Sequence, residues 1–480
     1  MEKAAVEFKP HEYQRIAIDA ILANKNIGLF LDMGLGKTVS TLSALDELLN
    51  DYFDVKKVLV IAPKLVAQTT WTDEIEKWSH LQGKFKVSKI LGTAQQRRDA
   101  LKDKEANLFL INRENVVWLV EELGAKWFFD CIVIDELSSF KNSSSKRFRA
   151  LRKVRPLARR VIGLTGTPAP NGLMDLWSEM YLLDKGERLG KTLTSYRDKY
   201  FRPGRRNGHI VYDWVLKERA DEEIWDAIGD ITISMKAVDW LTLPDKQDII
   251  VKVKLDDEEQ KRYEKFRKEK VMLPEGFEFT SDSLMPEQLV TADQASTLFI
   301  KLLQLASGRV YDDNGGLVYV HNKKIEVLKE LVEATQGENI LVFYNFQHSK
   351  DAILDEFPGA RILKSEETIR LFKQGKQKET SKGENIFLAH PLSMGHGLNI
   401  TEGGNISVWF DLTTSLEAFM QANARLHRQG QARTVYNYIL ITEKTIEEDV
   451  YKLLESKELT QDKLLEAIKE RMRGAKDKWV

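Results

Sequence analysis

The sequence predicts an α/β protein of two successive units, each a mostly parallel sheet flanked by helices. Three observations lead there. Short, wholly apolar runs, the signature of strands buried on both faces, alternate with segments of helical spacing between Leu29 and Leu164. A glycine-bearing turn, Asp32-Met33-Gly34-Leu35-Gly36, joins one such run to a helix. After a charged, helical stretch at 255–310, the same alternation resumes at Ile340-Leu341-Val342-Phe343 and continues through Ile386-Phe387-Leu388 and Val408-Trp409-Phe410.

Composition narrows the class. With 480 residues, 42% hydrophobic and 30% charged, the chain has room for two to four domains with large cores. A net charge of −1 means that any nucleic acid must be met by local basic patches. The single Cys131 excludes an intramolecular disulfide framework and a cysteine-based zinc cluster. It lies in the run Cys131-Ile132-Val133-Ile134 and reads as a core thiol. No stretch approaches the ~18 apolar residues of a membrane span. Met1-Glu2-Lys3 opens no apolar leader segment, so the expectation is a cytoplasmic protein.

The first helix is expected after Pro10, through Ile16, Ile18, Ile21 and Leu22. It carries Gln14, whose amide offers both a donor and an acceptor to an adenine edge. The strand Leu29-Phe30-Leu31 then runs into the glycine turn, and Lys37 and Thr38 open a helix continued by Val39, Leu42 and Leu45. Backbone N–H groups of Met33, Gly34, Leu35 and Gly36 can cradle a phosphate at the positive end of that helix. Lys37 would reach the β/γ-phosphates, and the Thr38 hydroxyl would hold Mg²⁺. The match to G-x-x-x-x-G-K-[ST] is partial, because Leu31 stands at the first glycine.

Val58-Leu59-Val60-Ile61-Ala62-Pro63 reads as a buried strand, with Lys64 at the end where open α/β sheets bind ligands. Trp71, Ile75 and Trp78 recur at helical spacing and read as core packing. A third strand ends in Asp135-Glu136. Paired carboxylates there are costly unless an ion or ligand needs them: the first would help hold Mg²⁺, the second polarise water. From Lys141 to Arg160 come nine Lys or Arg and no acid, read as a phosphate-backbone contact. Val161-Ile162-Gly163-Leu164 is a strand followed by the polar turn Thr165-Gly166-Thr167-Pro168. Residues 191–219 interleave Arg197, Lys199, Arg202, Arg205, Arg206 and His209 with Tyr196, Tyr200, Phe201 and Tyr212, either a nucleic-acid grip or a surface loop. Residues 271–286 read as an irregular excursion. Arg425 and Arg428, three apart, are expected to share one helix face.

In order and spacing, Gln14, LDMGLGKT, VLVIAPKLV, VIDELSSFKN, LTGTPAPN, HPLSMGHGLNI and QANARLHRQGQ resemble the motifs of the Swi/Snf-type ATPases of helicase superfamily two, in a compact form like that of bacterial or phage members. Thr445-Ile446-Glu447-Glu448 follows as in that family. The chain departs from it with Leu31-Asp32 where Asp-Glu is common and with Asp-Glu-Leu-Ser in the acidic box. The resemblance implies two tandem RecA-like lobes, 1–245 and 321–480, with a helical insertion at 246–320. It implies ATP and Mg²⁺ as cofactors, with Gly397 and Gln421 joining the nucleotide contacts. Lys37, Asp135, Glu136, Arg425 and Arg428 would be catalytic, the arginines drawn onto the γ-phosphate. Lys64, Lys141, Asn142 and Thr165, with Ser393 and Asn399 of the second lobe, would grip DNA. The expected activity is ATP-dependent translocation on double-stranded DNA by a monomer, against protein obstacles and away from membranes, in a bacterial cell or phage-infected host. A strand-separating helicase and a nucleotide-gated nucleic-acid scaffold with little turnover are the alternatives.

Overall fold

The computed structural model describes residues 6–458 apart from 65, 205, 208–209, 212–213, 242, 270, 273–289, 292–294, 336, 376–382 and 396–399. The chain divides into two compact units, one of Met1–Leu241 with Lys457–Val480 and the other of Thr242–Ser456. Among the described residues no helix is long and apolar enough to cross a membrane.

The first unit is built on seven parallel strands: β1 (Asn26–Leu31), β2 (Val58–Ala62), β3 (Val87–Ile90), β4 (Leu108–Asn112), β5 (Cys131–Asp135), β6 (Arg160–Thr165) and β7 (Thr232–Met235). Their order across the sheet is β7-β1-β6-β5-β2-β4-β3, with every pairing parallel. The central strands β1, β2, β4 and β5 are almost wholly apolar because both faces are covered. Phe30, Leu59, Ile61, Phe109, Ile111, Ile132 and Ile134 pack in one core with Leu119, Phe148, Leu151, Trp177 and Met180 from helices. Cys131 is in the sheet interior, and burial pushes its thiol up to about 12, as a core thiol requires.

Two arginines of the basic run 141–160 turn inward. Arg155 and Arg160 are buried, not presented to a polyanion. Arg155 donates to the Leu182 and Leu183 carbonyls and, at 2.7 Å, to Asn26 Oδ1. Arg160 pairs with Asp54 and caps the carbonyls of Ile21 and Asn24 at 2.8 Å each. A guanidinium has five donors in a fixed fork, so it can satisfy several chain ends at once. Arg159 also pairs with Asp54, and Arg152 stacks over Tyr181. Lys146, Arg147, Arg149 and Lys153 lie outside the inner side of the helix Lys146–Val154, which buries Phe148, Ala150, Leu151 and Val154. Tyr196, Tyr200 and Phe201 are likewise core residues, which leaves them no part in base stacking.

The second unit holds six parallel strands: β8 (Lys246–Val253), β9 (Ile340–Phe343), β10 (Arg361–Ile362), β11 (Ile386–Ala389), β12 (Ile406–Trp409) and β13 (Val435–Thr442), in the order β8-β13-β12-β9-β11-β10. The stretch 246–253 thus belongs to this sheet, pairing with β13 along its whole length. Its polar residues hid it: an edge strand shows one face to water, and Gln247, Asp248 and Lys252 are exposed. Between β8 and β9 come the helices Asp257–Glu269 and Ala295–Ala306 and the hairpin Arg309–Tyr311 with Leu317–Tyr319. They have their own small core of Tyr263, Phe266, Leu302, Leu305, Val310 and Val318. Of the expected excursion at 271–286, only Val271–Met272 lies among the described residues, paired with Val290–Thr291.

Candidate nucleotide site

Four loops meet at the carboxyl ends of β7, β1, β6 and β5, which are neighbours in that order. Strands lie ~4.8 Å apart, so their ends place side chains within one ligand's reach. The loop after β1 is shaped by glycines: Gly34 and Gly36 have φ of 87° and 68°, a region that side chains rarely adopt. Gly36 is the N-cap of the helix Lys37–Asp46. A Cβ there would collide with Gln14 Nε2, so the Gln14 amide lies directly over the turn. Gln14 Oε1 in turn accepts from the His11 backbone N–H at 2.9 Å. The loop is tied to the next strand as well, because Asp32 Oδ2 accepts from the Ala237 N–H at 2.9 Å.

Lys37 folds back on its own loop, donating to the carbonyls of Leu31 at 2.6 Å and Asp32 at 3.2 Å. Its ammonium also faces the turn after β6: a Cβ on Gly166 would sit 3.6 Å from Lys37 Nζ and 3.3 Å from the Leu31 carbonyl. Thr38, in the first turn of the same helix, is partly exposed.

Asp135 ends β5, and its Oδ2 accepts from the indole Nε1 of Trp71 at 2.8 Å. Burial pushes its carboxyl up to about 6, helped by the Glu136 charge and opposed by the Trp71 N–H and the Lys37 ammonium. Glu136 has φ 75°, a costly left-handed conformation for a side chain with a Cβ. Its Oε1 accepts the hydroxyls of Thr165 at 2.7 Å and Ser138 at 2.9 Å. Thr165 Oγ1 also accepts from the Thr167 N–H at 3.1 Å. The arrangement gathers an ammonium, two carboxylates and a helix N-terminus, which suits a phosphate together with a divalent cation.

The structure brings Gln14, Met33, Gly34, Leu35, Gly36, Lys37, Thr38, Asp135, Glu136 and Thr165 to this end of the sheet. Thr165 is fully buried against Glu136, whereas Lys64 and Asn142 are exposed and Lys141 is partly so. Trp71, Ser138, Asp32 and Gly166 are the participants that sequence reasoning missed. Helical spacing assigns Trp71 to packing, and no local pattern announces an indole N–H aimed at a carboxylate. Ser138 had a visible signal, its place two residues after Glu136.

In the second unit, Gln421 lies in the helix Leu416–Asn423, buried and donating to Glu417 Oε1 at 3.4 Å. Arg425 and Arg428 do not share a helix face as expected, because that helix ends at Asn423. Backbone bonds from Arg425 to Ala422 and from Leu426 to Asn423 tighten the chain into a turn. Asn423 is held by the Trp409 indole at 2.9 Å, and His427 contacts the Pro244 carbonyl at 2.9 Å. Arg425 is buried, and burial lowers the pKa of Arg428 from its usual value. Ser393 is exposed, its hydroxyl donating to the His390 carbonyl at 2.7 Å. Gly397 and Asn399 lie outside the described residues. Glu447, in the TIEE string, forms a buried ion pair with Lys324 at 2.6 Å.

The SNF2-related domain matches residues 2–300. Putative protein p41 of Acyrthosiphon pisum secondary endosymbiont phage 1 is 36% identical over 474 residues, covering 96% of this chain and 99% of that protein. An uncharacterized ATP-dependent helicase of Mycoplasma pneumoniae is 29% identical over 467 residues, covering 93% of this chain but 41% of that protein. Among solved structures, the Sulfolobus solfataricus SWI2/SNF2 ATPase core in complex with dsDNA is similar at 21% identity, covering 100% of this chain and 98% of that one with a TM-score of 0.44. The chain belongs to the SNF2-related family. It is an ATPase of helicase superfamily two.

Proposed function

We propose that this chain is an ATP-dependent translocase on double-stranded DNA. The observation that carries the reading is the convergence of Lys37, Asp135, Glu136 and Thr165 at adjoining strand ends, with Glu136 held by two hydroxyls. Lys37 exchanges the Leu31 and Asp32 carbonyls for phosphate oxygens. Gln14, laid over the turn, meets the base. Glu136 orients the attacking water and takes its proton on the carboxylate. Thr38 and Asp135 offer the hard oxygen donors that Mg²⁺ prefers, and a carboxylate buried without full compensation fits a cation. They would hold Mg²⁺, which supplies charge neutralisation on the phosphates. Arg425 and Arg428 serve the same hydrolysis by stabilising the transferred phosphate; in support, the buried Nε of Arg428 has no hydrogen-bond partner among the described residues.

DNA enters the reading through the family and through the exposed cations of the helix Lys146–Val154, joined by Lys64, Lys141 and Asn142. Stepping must be indifferent to sequence, and phosphates supply that kind of grip. Ser393 and Asn399 are the matching contacts of the second lobe. The test is phosphate release with and without duplex DNA, followed by displacement of a third strand from a triplex. Stimulation by duplex and triplex displacement without unwinding of a forked duplex are expected. A rate unmoved by any nucleic acid overturns the proposal, and unwinding of the fork replaces translocase with helicase.

A further inference from the structure

Trp71 is fully buried at the start of the helix Trp71–Lys77, and its ring carries a single polar atom. That atom, Nε1, donates to Asp135 Oδ2 at 2.8 Å. A leucine or phenylalanine would fill the same core; the indole adds only an N–H, which a buried site must use. The backbone leading to it is also unusual. Val66–Thr70 wind as a π-helix between β2 and this helix. Such turns are rare and concentrate at functional sites, and their wider winding sets which side chain faces inward. Lys89 Nζ fastens the turn, donating to the Gln68 carbonyl at 2.6 Å and Thr72 Oγ1 at 3.2 Å.

We propose that Trp71 is the positioning residue for the divalent cation: its N–H occupies Asp135 Oδ2, fixes the carboxylate's rotation and directs Oδ1 to the metal. Groups that hydrogen-bond a ligating carboxylate typically govern metal affinity by ~10–100-fold. The inference rests on the reading of Asp135 as a metal ligand, and the experiment separates the two. Mn²⁺ binding to the full chain is followed by electron paramagnetic resonance with a non-hydrolysable ATP analogue present. Trp71→Phe is expected to weaken Mn²⁺ about 10-fold and to raise the Mg²⁺ needed for half-maximal ATPase by a similar factor. Analogue binding without metal should stay within about twofold, which also reports that the variant is folded. Unchanged Mn²⁺ affinity in Trp71→Phe, when Asp135→Asn has lost it, overturns the role of Trp71 alone. Retention of Mn²⁺ by Asp135→Asn overturns the metal-site reading itself. In the unaltered chain, the Trp71 indole proton should exchange slowly with solvent both free and loaded with Mn²⁺ and analogue. Fast exchange on loading overturns the proposal without any variant.

Discussion

At the scale of single residues, two adjacent carboxylates differ in what surrounds them. Glu136 is held by two hydroxyls, and on the proposed function it takes the proton of the attacking water, so Glu136→Gln should bind ATP with unchanged affinity while hydrolysis falls by about 10²–10⁴. Equilibrium nucleotide binding and phosphate release measure the two halves of that statement. Asp135 has its carboxyl raised from 3.8 to about 6, chiefly by burial. The folded chain therefore binds this proton more tightly than the unfolded chain does. The ionised form costs stability, up to about 3 kcal/mol, fully above the folded pKa and not at all below the unfolded one. Without nucleotide, Asp135→Asn should melt higher than the unaltered chain at pH 8, and the difference should shrink steadily as the pH falls from 6 toward 4. Both carboxylates were legible in the sequence because they adjoin at the end of an apolar run. Trp71 and Thr165 were not legible as their partners, since those hydrogen bonds span 64 and 29 residues of chain.

At the scale of elements, one basic run divides into two kinds of cation. The helix Lys146–Val154 keeps Arg149 and Lys153 on its exposed side, whereas Arg155 turns inward to carbonyls and Asn26. Arg149→Ala with Lys153→Ala should leave the melting temperature unchanged and reduce the salt dependence of DNA binding by about two charges. Arg155→Ala should instead cost about 3–5 kcal/mol by leaving buried carbonyls unmet. Thermal melting and salt titrations separate the two outcomes. Charge counting could not make this division, because helical spacing marks one side of an element without saying which cations beyond its end are buried. The same limit hid the close of the helix at Asn423: Ala424, Arg425 and Leu426 continue a helical pattern, and only the Trp409 and His427 contacts show where the chain turns.

At the scale of the whole molecule, each unit has a parallel sheet of its own, and among the described residues the glycine turn that opens a helix at a strand end belongs to the first. The second unit's contribution to turnover is therefore expected from its arginines. Arg428→Ala should keep ATP affinity and lose about 10³–10⁵ in kcat, measured as steady-state phosphate release at saturating ATP. An unchanged kcat removes Arg428 from the reaction. The second unit also depends on the Lys324–Glu447 pair, in which each side chain is 1% exposed. Lys324→Met would strand a buried carboxylate and should cost about 3–5 kcal/mol in thermal or denaturant unfolding.

The sequence by itself determined the parallel α/β architecture and the glycine turn that opens the first unit's helix at Lys37. Apolar runs, glycines and adjacent acids act through neighbours in the chain, so their meaning survives without coordinates. Only the tertiary structure decided which charges are spent inside and which are offered outside. It also decided that an indole would hold Asp135 and that an edge strand would be built from polar residues. Those outcomes depend on partners far away in sequence, and burial, not residue type, sets the energy of a buried charge or an N–H.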